Sequence, residues 1–382
     1  MATTEPIFVH SLFRAASTYF FQKFRSQGPA FTCYQEPFNE TLTALNDPVL
    51  HDKLLGTQEG SVLRHPPLDR PYFYEFWIRR EHLAGLYREA FAYDQYFMDE
   101  RGALPDAQRA YLSALMQQAQ GRPLLQLCRS SGRIAVLRAE YGGVHVHVWR
   151  EPRNQWWSYR VADYFDRVTQ LTYRGESVPR VLGTIASMAG IGRGQMRLLS
   201  PRENYLLFYG LWLDAWLRLQ SRADLTISLD GIAISPAENA ESSKRLSELS
   251  ECAIDLSDVR TSGMVFTAEE EGFYSEIERT VSDIFVHSDR AMRQGVEAAS
   301  QAARNARQGY ERLEHDPVVE CNLRHAALTM MGLLAGREWV GGAVASPRFN
   351  PRHLRDYWRL FRLVRPRPAR ESQDCERSPP AV

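Results

Sequence analysis

The feature that most constrains this chain is a set of short apolar runs placed far apart. Ile7–Val9, Phe31–Tyr34, Pro123–Cys128 ("PLLQLC"), Val144–Trp149 ("VHVHVW") and Leu225–Leu229 have the length of strands. Between them lie segments with helical spacing, among them Ser17–Ser26, "PDAQRAYLSALMQQAQG" up to Gly121, Gly132–Tyr141 and a stretch beginning at Glu151. Strands separated this widely are not hairpins; their crossovers join parallel neighbours and cover both faces of the sheet. The sequence therefore predicts an α/β fold, a P-loop-like parallel sheet flanked by helices. Ligands of such sheets bind beyond the carboxyl ends of the strands. Arg14, Glu36, Arg129 and Arg150 each fall just after a predicted strand, so all four are expected at one edge.

The rest of the chain is read as additions to that sheet. Residues 1–267 are expected to form the α/β domain, with a helical insert at about 40–121 in which "EHLAGLYREAFAYDQYFMDE" puts Leu83, Leu86, Tyr87 and Phe91 on one helical face. Residues 268–364 read as a helical C-terminal extension and 365–382 as a disordered tail. With 46 basic and 46 acidic side chains the net charge is zero, so no global field draws the chain to nucleic acid or anionic lipid. Any anion site must be local. Five scattered cysteines without C-x-x-C spacing fit a reducing compartment and argue against a zinc site. The apolar stretches Tyr205–Leu219 and Ala326–Gly336 are too short or too charged to span a membrane. No signal peptide is apparent, and the expectation is a cytoplasmic protein.

Two stretches carry chemistry. "PIFVHSLFRAASTYFFQKFR" (Pro6–Arg25) is a strand, a turn holding Arg14, Ser17 and Thr18, and a helix. A cation and two hydroxyls at a helix start suit a phosphate, although the Walker pattern G-x-x-x-x-G-K-[ST] is absent. In "HVWREPRNQWWSYRVADYF" (His147–Phe165), Arg150 ends a strand and Ser158 lies about two turns into the next helix, a second place to grip a phosphate.

In these two stretches the chain resembles the sulfotransferases that use 3′-phosphoadenosine 5′-phosphosulfate (PAPS). "RAAST" (Arg14, Ala15, Ala16, Ser17, Thr18) is similar to that family's [KR]-[SA]-G-[ST]-[ST], and "REPRNQWWS" (Arg150–Ser158) to its R-[DN]-P-R-x-x-x-x-S, with glutamate at the second position. In "SLDGIAISP" (Ser228–Pro236), Asp230 and Pro236 echo a later family segment. The resemblance covers roughly residues 6–40 and 120–240. Arg129 and Glu36–Pro37 match the bacterial and Golgi-like carbohydrate branch, where arginine replaces a catalytic histidine and "EP" follows the second strand.

The resemblance implies transfer of a sulfuryl group from PAPS to an acceptor hydroxyl on a sugar, glycan or small molecule, leaving PAP, with no metal required. Arg14 would meet charge on the leaving group, Ala15, Ala16, Ser17 and Thr18 would cradle the 5′-phosphate, and Arg150 and Ser158 would hold the 3′-phosphate. Glu36 would be the general base, its carboxyl raised by partial burial near Phe38, and Arg129 would face the acceptor. Tyr74 and Trp77, in the aromatic insert "RPYFYEFW", would stack on an acceptor ring.

Other readings stand beside these. Glu36 is equally a structural carboxylate and Arg129 equally an ion-pair partner at the sheet edge. Ala16 at the glycine position means either that the turn needs no positive φ or that the phosphate sits displaced. His145 and His147 share a strand face and read as core histidines before a metal pair. Trp156 and Trp157 read as packing before adenine stacking. The arginine-rich segment Arg348–Arg370 reads as a solvated helix face before a docking surface. The rival activities are a nucleotide-dependent P-loop kinase and a non-catalytic nucleotide-binding scaffold.

Overall fold

The computed structural model describes residues 5–56, 68–159, 164–192, 196, 198–261, 266 and 268–312. The chain divides into two compact units, Met1–Glu314 and His315–Val382, and the described residues belong to the first. The expected basic helix at Arg348–Arg370 and the tail at 365–382 lie outside the described residues.

Five strands form one sheet: β1 (Ile7–His10), β2 (Phe31–Gln35), β3 (Arg122–Leu127), β4 (Val144–Trp149) and β5 (Leu225–Ser228). Their order is β2-β3-β1-β4-β5 and every pairing is parallel. The α-helices in chain order are α1 (Ser17–Arg25), α2 (Tyr74–Trp77), α3 (Arg80–Leu83), α4 (Asp106–Gln117), α5 (Ile134–Tyr141), α6 (Pro152–Tyr159), α7 (Tyr164–Thr172), α8 (Arg180–Met188), α9 (Pro201–Gln220), α10 (Leu229–Ile234), α11 (Pro236–Ser250), α12 (Ala268–Ser288) and α13 (Arg293–Arg312). The α/β class and parallel sheet expected from the sequence are thus present.

Side-chain alternation explains why both faces are covered. Phe8, Tyr34, Leu125 and Leu127 point to one side, where the insert packs Leu42, Leu54, Phe76, Tyr111 and Leu112 against them. Ile7, Val9, Cys33, Val146 and Val148 point to the other, onto Phe20, Phe21 and Phe24 of α1 and onto Leu246, Ile254 and Leu256. The insert is therefore one of the two covering layers. It is built from short turns rather than the long helix expected over residues 81–100. Gly85, at φ 74°, ends the run after α3, and a 3₁₀ turn at Glu89–Phe91 resumes it. Leu83, Tyr87 and Phe91 are buried all the same.

The apolar run at Tyr205–Leu219 lies in α9, whose N-terminus carries Pro201 and a capping box between Ser200 and Glu203. This helix is buried on nearly every side because it packs against β4, α6, α7, α8, α12 and α13. Helices α12 and α13, read from the sequence as part of an appended extension, belong to the same compact unit as the sheet. No described helix is long and apolar enough to cross a membrane.

The histidines settle into the core. His145 Nε2 lies 2.9 Å from the Gly142 carbonyl, which can only accept, so that nitrogen carries the proton. His145 Nδ1 then accepts from His10 Nε2 at 2.9 Å, and His10 Nδ1 accepts from the Ser130 hydroxyl at 2.7 Å. The result is a one-directional chain of neutral rings. Burial pushes His145 down to about 4 and His147 down to about 3, and His10 is lowered by burial and by both neighbouring rings.

Because these folded-state values are depressed, the unfolded chain takes up protons first as pH falls. The histidines cost no stability above about pH 7; His145 destabilises progressively from about 6.5 down towards 4 and His147 down towards 3, each by about 1.4 kcal/mol per pH unit. Urea unfolding between pH 4 and 7 should show this slope, and His145→Gln should flatten it by about one proton's worth.

Candidate functional site at the carboxyl edge of the sheet

Strand register fixes what meets at the carboxyl edge. His10 lies beside Leu127 on one side and His147 on the other, and Gln35 lies beside Gln126. Glu36 follows directly, its N–H donating to the Gln126 carbonyl. Arg14, Arg129 and Arg150 leave the sheet from the ends of β1, β3 and β4.

The turn between β1 and α1 is strained. Arg14 has φ 64° and Ala16 φ 61°, both left-handed without being glycine. Such residues cost about 1–2 kcal/mol each. Of the two readings open for Ala16, that the turn needs no positive φ is corrected: the glycine-like conformation is kept without the glycine. Ala16 is also the N-cap of α1 and supplies no side-chain cap. Ser17 and Thr18, both buried, begin the helix, and the Cys128 thiol donates to Ser17 Oγ at 3.4 Å.

The second motif docks on this turn. Glu151 caps α6 by accepting the Asn154 N–H on Oε2 at 2.8 Å. Gln155 and Ser158, three apart and so on one helix face, both reach the first motif. Gln155 Nε2 donates to the Phe13 carbonyl at 2.7 Å, and Arg14 Nε donates to Ser158 Oγ at 3.0 Å. Arg150 is buried, its carbonyl accepting from Trp212 Nε1 at 3.1 Å and its Nε lying 3.8 Å from Asp230 Oδ1. Two motifs far apart in sequence therefore meet at the carboxyl edge of the sheet, which gathers two guanidinium groups and three hydroxyls in one region. That donor set is suited to phosphate oxygens.

Arg129 heads a second group. It is 1% exposed, and its fork donates to Glu36 Oε2 (2.7 Å), Glu40 Oε2 (2.6 Å), Tyr93 OH (3.1 Å) and Tyr164 OH (2.7 Å). The guanidinium lies over the rings of Phe13 and Tyr93. Glu36, with φ 44°, also accepts from Asn39 Nδ2 at 2.9 Å and from Tyr72 OH at 2.8 Å. Burial alone would raise the Glu36 carboxyl. The Arg129 charge and the Asn39 and Tyr72 hydrogen bonds outweigh it and hold the group below the usual carboxylate range. The expectation of a raised carboxyl is thus corrected. Phe38, expected to desolvate Glu36, lies instead under the Arg133 guanidinium at 4.1 Å.

Tyr74 and Trp77 are also relocated. Arg25, the last residue of α1, clamps Glu75 with two bonds of 3.0 and 2.8 Å, and Arg79 Nε donates to the Gln118 carbonyl just before β3 begins. Both anchors belong to the amino edge of the sheet, opposite the two motifs. There Tyr74 stacks on Trp77, with Arg70 and Arg80 over their outer faces. The insert's ring that reaches Glu36 is Tyr72. Trp156 packs against Tyr205 and Tyr274, as expected for a helix-face residue.

Glu40, Tyr93 and Tyr164 join the site without a motif to announce them. Glu40 alone had a signal, as the second acid of "QEPFNE" after β2. Among the described residues no group of three or more His, Cys, Asp or Glu side chains is placed to hold a metal. No family model, curated protein or solved structure matches the chain.

Two variants probe this geometry. Ala16→Gly should raise stability by about 0.5–1 kcal/mol, relief of left-handed strain exceeding the added chain entropy of glycine. Glu36→Gln should cost about 3 kcal/mol, because it leaves the buried Arg129 charge with a single carboxylate partner. Chemical denaturation of both variants checks each value.

Proposed function

We propose that the protein is a PAPS-dependent sulfotransferase acting on an acceptor hydroxyl. The observation that carries the reading is the 3.0 Å hydrogen bond from Arg14 Nε to Ser158 Oγ, which joins two motifs that the resemblance assigns to opposite ends of one nucleotide. The strained turn supports it, since backbone strain kept at a strand end is a common mark of a ligand cradle. When bound, PAPS supplies the activated sulfuryl group. Arg14 would lie against the bridging oxygen where charge develops, and the start of α1 with Ser17 and Thr18 would hold the 5′-phosphate. Arg150 and Ser158 would hold the 3′-phosphate.

The role of Glu36 changes within this reading. A carboxylate held low by Arg129 is a poor proton acceptor, and it serves better to fix Arg129 and Tyr72. Glu40, whose side chain is 33% exposed, is the acid of the pair that an acceptor can approach. The bond from sulfur to the leaving phosphate breaks as the bond to the acceptor oxygen forms, and the acceptor proton passes to Glu40. A sugar hydroxyl remains the acceptor best matched to the resemblance, with Tyr93 and Tyr164 as the nearby rings. The second reading, a non-catalytic nucleotide scaffold, draws on the tight pairing of both acids with Arg129.

PAP should raise the melting temperature well beyond ADP at equal concentration, and Arg150→Ala should remove most of the difference, a contact worth about 1.5–3 kcal/mol. Equal shifts from PAP, ADP and ATP would defeat the assignment and point to a kinase-like or unspecific site. With an acceptor in hand, Glu40→Gln should lower turnover by ~10²-fold or more at unchanged PAP affinity. Full PAP binding with no transfer to any hydroxyl acceptor would favour the scaffold.

A further inference from the structure

We infer that the pocket between β4, α6 and α9 is a binding site for one internal water, held by His147, Gln155 and Trp216 and bracing the turn between β1 and α1. The three side chains come from three elements and line one pocket, together with Leu12 at the entry to that turn. Each of the three residues is more than nine-tenths buried. Among the described residues, His147 Nδ1, Gln155 Oε1 and Trp216 Nε1 have no hydrogen-bond partner. The other side chains of the wall are apolar or aromatic, Leu219 among them. About 10 Å³ is open to the centre of a water-sized molecule, which is room for a single water.

The three atoms need complementary things. Gln155 Nε2 donates to the Phe13 carbonyl at 2.7 Å, which fixes the orientation of the amide and leaves Oε1 as a pure acceptor. Trp216 Nε1 can only donate. A water spends one hydrogen on Gln155 and one lone pair on Trp216. Its second hydrogen or second lone pair then serves His147 Nδ1 in either tautomer. Burial holds the His147 ring down at about 3, so it is neutral and brings no charge to the pocket. A cation would meet the indole hydrogen and an anion would meet the amide oxygen. A small neutral molecule that both donates and accepts is the ligand that suits all three, because three buried polar groups without partners cost more than holding one water still.

The surrounding backbone does not let the three atoms close on one another. His147 lies in a strand paired on both edges, and Trp216 lies in a helix packed on β4 and α6. The water therefore ties β4 and α9 to the Gln155 amide, and that amide holds the carbonyl directly before Arg14. Arg14 and Ala16 are the residues of this turn with positive φ. The strained backbone is thus braced from the core through one exchangeable molecule, whatever ligand the turn binds.

The test uses the full chain without added ligand. A high-resolution crystal structure should show one density peak within hydrogen-bond reach of His147 Nδ1, Gln155 Oε1 and Trp216 Nε1. In solution, the Trp216 indole hydrogen should give cross-peaks with water of opposite sign in nuclear Overhauser and rotating-frame spectra, the mark of a held water rather than of proton exchange. The chain has eight tryptophans, and Trp216→Phe identifies the resonance by its loss. That variant should also speed hydrogen exchange at the Tyr19 and Phe20 amides, which donate to the Ala16 carbonyl. The expected change is about fivefold, the equivalent of one hydrogen bond, while the amides of β2 keep their wild-type rates. The wild-type crystal needs no variant, so the site stays open to refutation if Trp216→Phe fails to fold. A direct bond from the Trp216 indole to His147 or Gln155, with no water peak, would overturn the site. A water peak with wild-type exchange at Tyr19 and Phe20 in Trp216→Phe would overturn the brace.

Discussion

Arg129 brings a full positive charge to a place where water does not reach, and much of the carboxyl edge is arranged to make that tolerable. Burying a guanidinium costs several kcal/mol unless its donors are met by charge and hydrogen bonds together. Here two carboxylates and two phenols answer it, and they come from four places: Glu36 after β2, Glu40 and Tyr93 in the insert, and Tyr164 at the start of α7. Removing any one leaves charge exposed to low dielectric, so the four segments are fixed relative to one another. The edge of the sheet is rigid because its centre is ionic.

A different economy governs the neighbouring grip on the first turn. Three non-glycine residues with positive φ, Arg14, Ala16 and Glu36, stand at the ends of β1 and β2. The fold tolerates them because α1 packs three phenylalanines into the core directly behind the turn, and because Gln155 and Ser158 fasten it from α6. The phenylalanines hold the helix while the turn takes the strain.

Much of this was legible in the sequence, and the reasons for the gaps are physical. All five strands could be read because each is a compact apolar run, and the two motifs because each sits where such a run stops. The insert misled in two ways. Gly85 ends a helix whose apolar spacing continues past it, so periodicity alone overstates the element. Tyr74 and Trp77 follow the right segment yet turn to the wrong edge, since their place is set by the Arg25–Glu75 clamp. Glu36 was found by position, but the direction of its titration depends on Arg129, Asn39 and Tyr72 converging on it. Tyr93, Tyr164 and Tyr310 left no trace because a single phenol that pairs with a residue distant in sequence has no pattern to detect.

The place of β1 at the middle of the sheet sets a timetable for synthesis. Residues 7–10 are made well before their partners, residues 124–127 and 144–147. Until those emerge from the ribosome, β1 has both edges open and α1 shows Phe20, Phe21 and Phe24 to solvent, a state that loop-closure entropy prolongs. Ser158 reaches Arg14 later still, and Tyr310 reaches Asp230 last. The nascent chain thus carries an unpaired β1–α1 segment until residue 147 has emerged, and that segment invites chaperone contact.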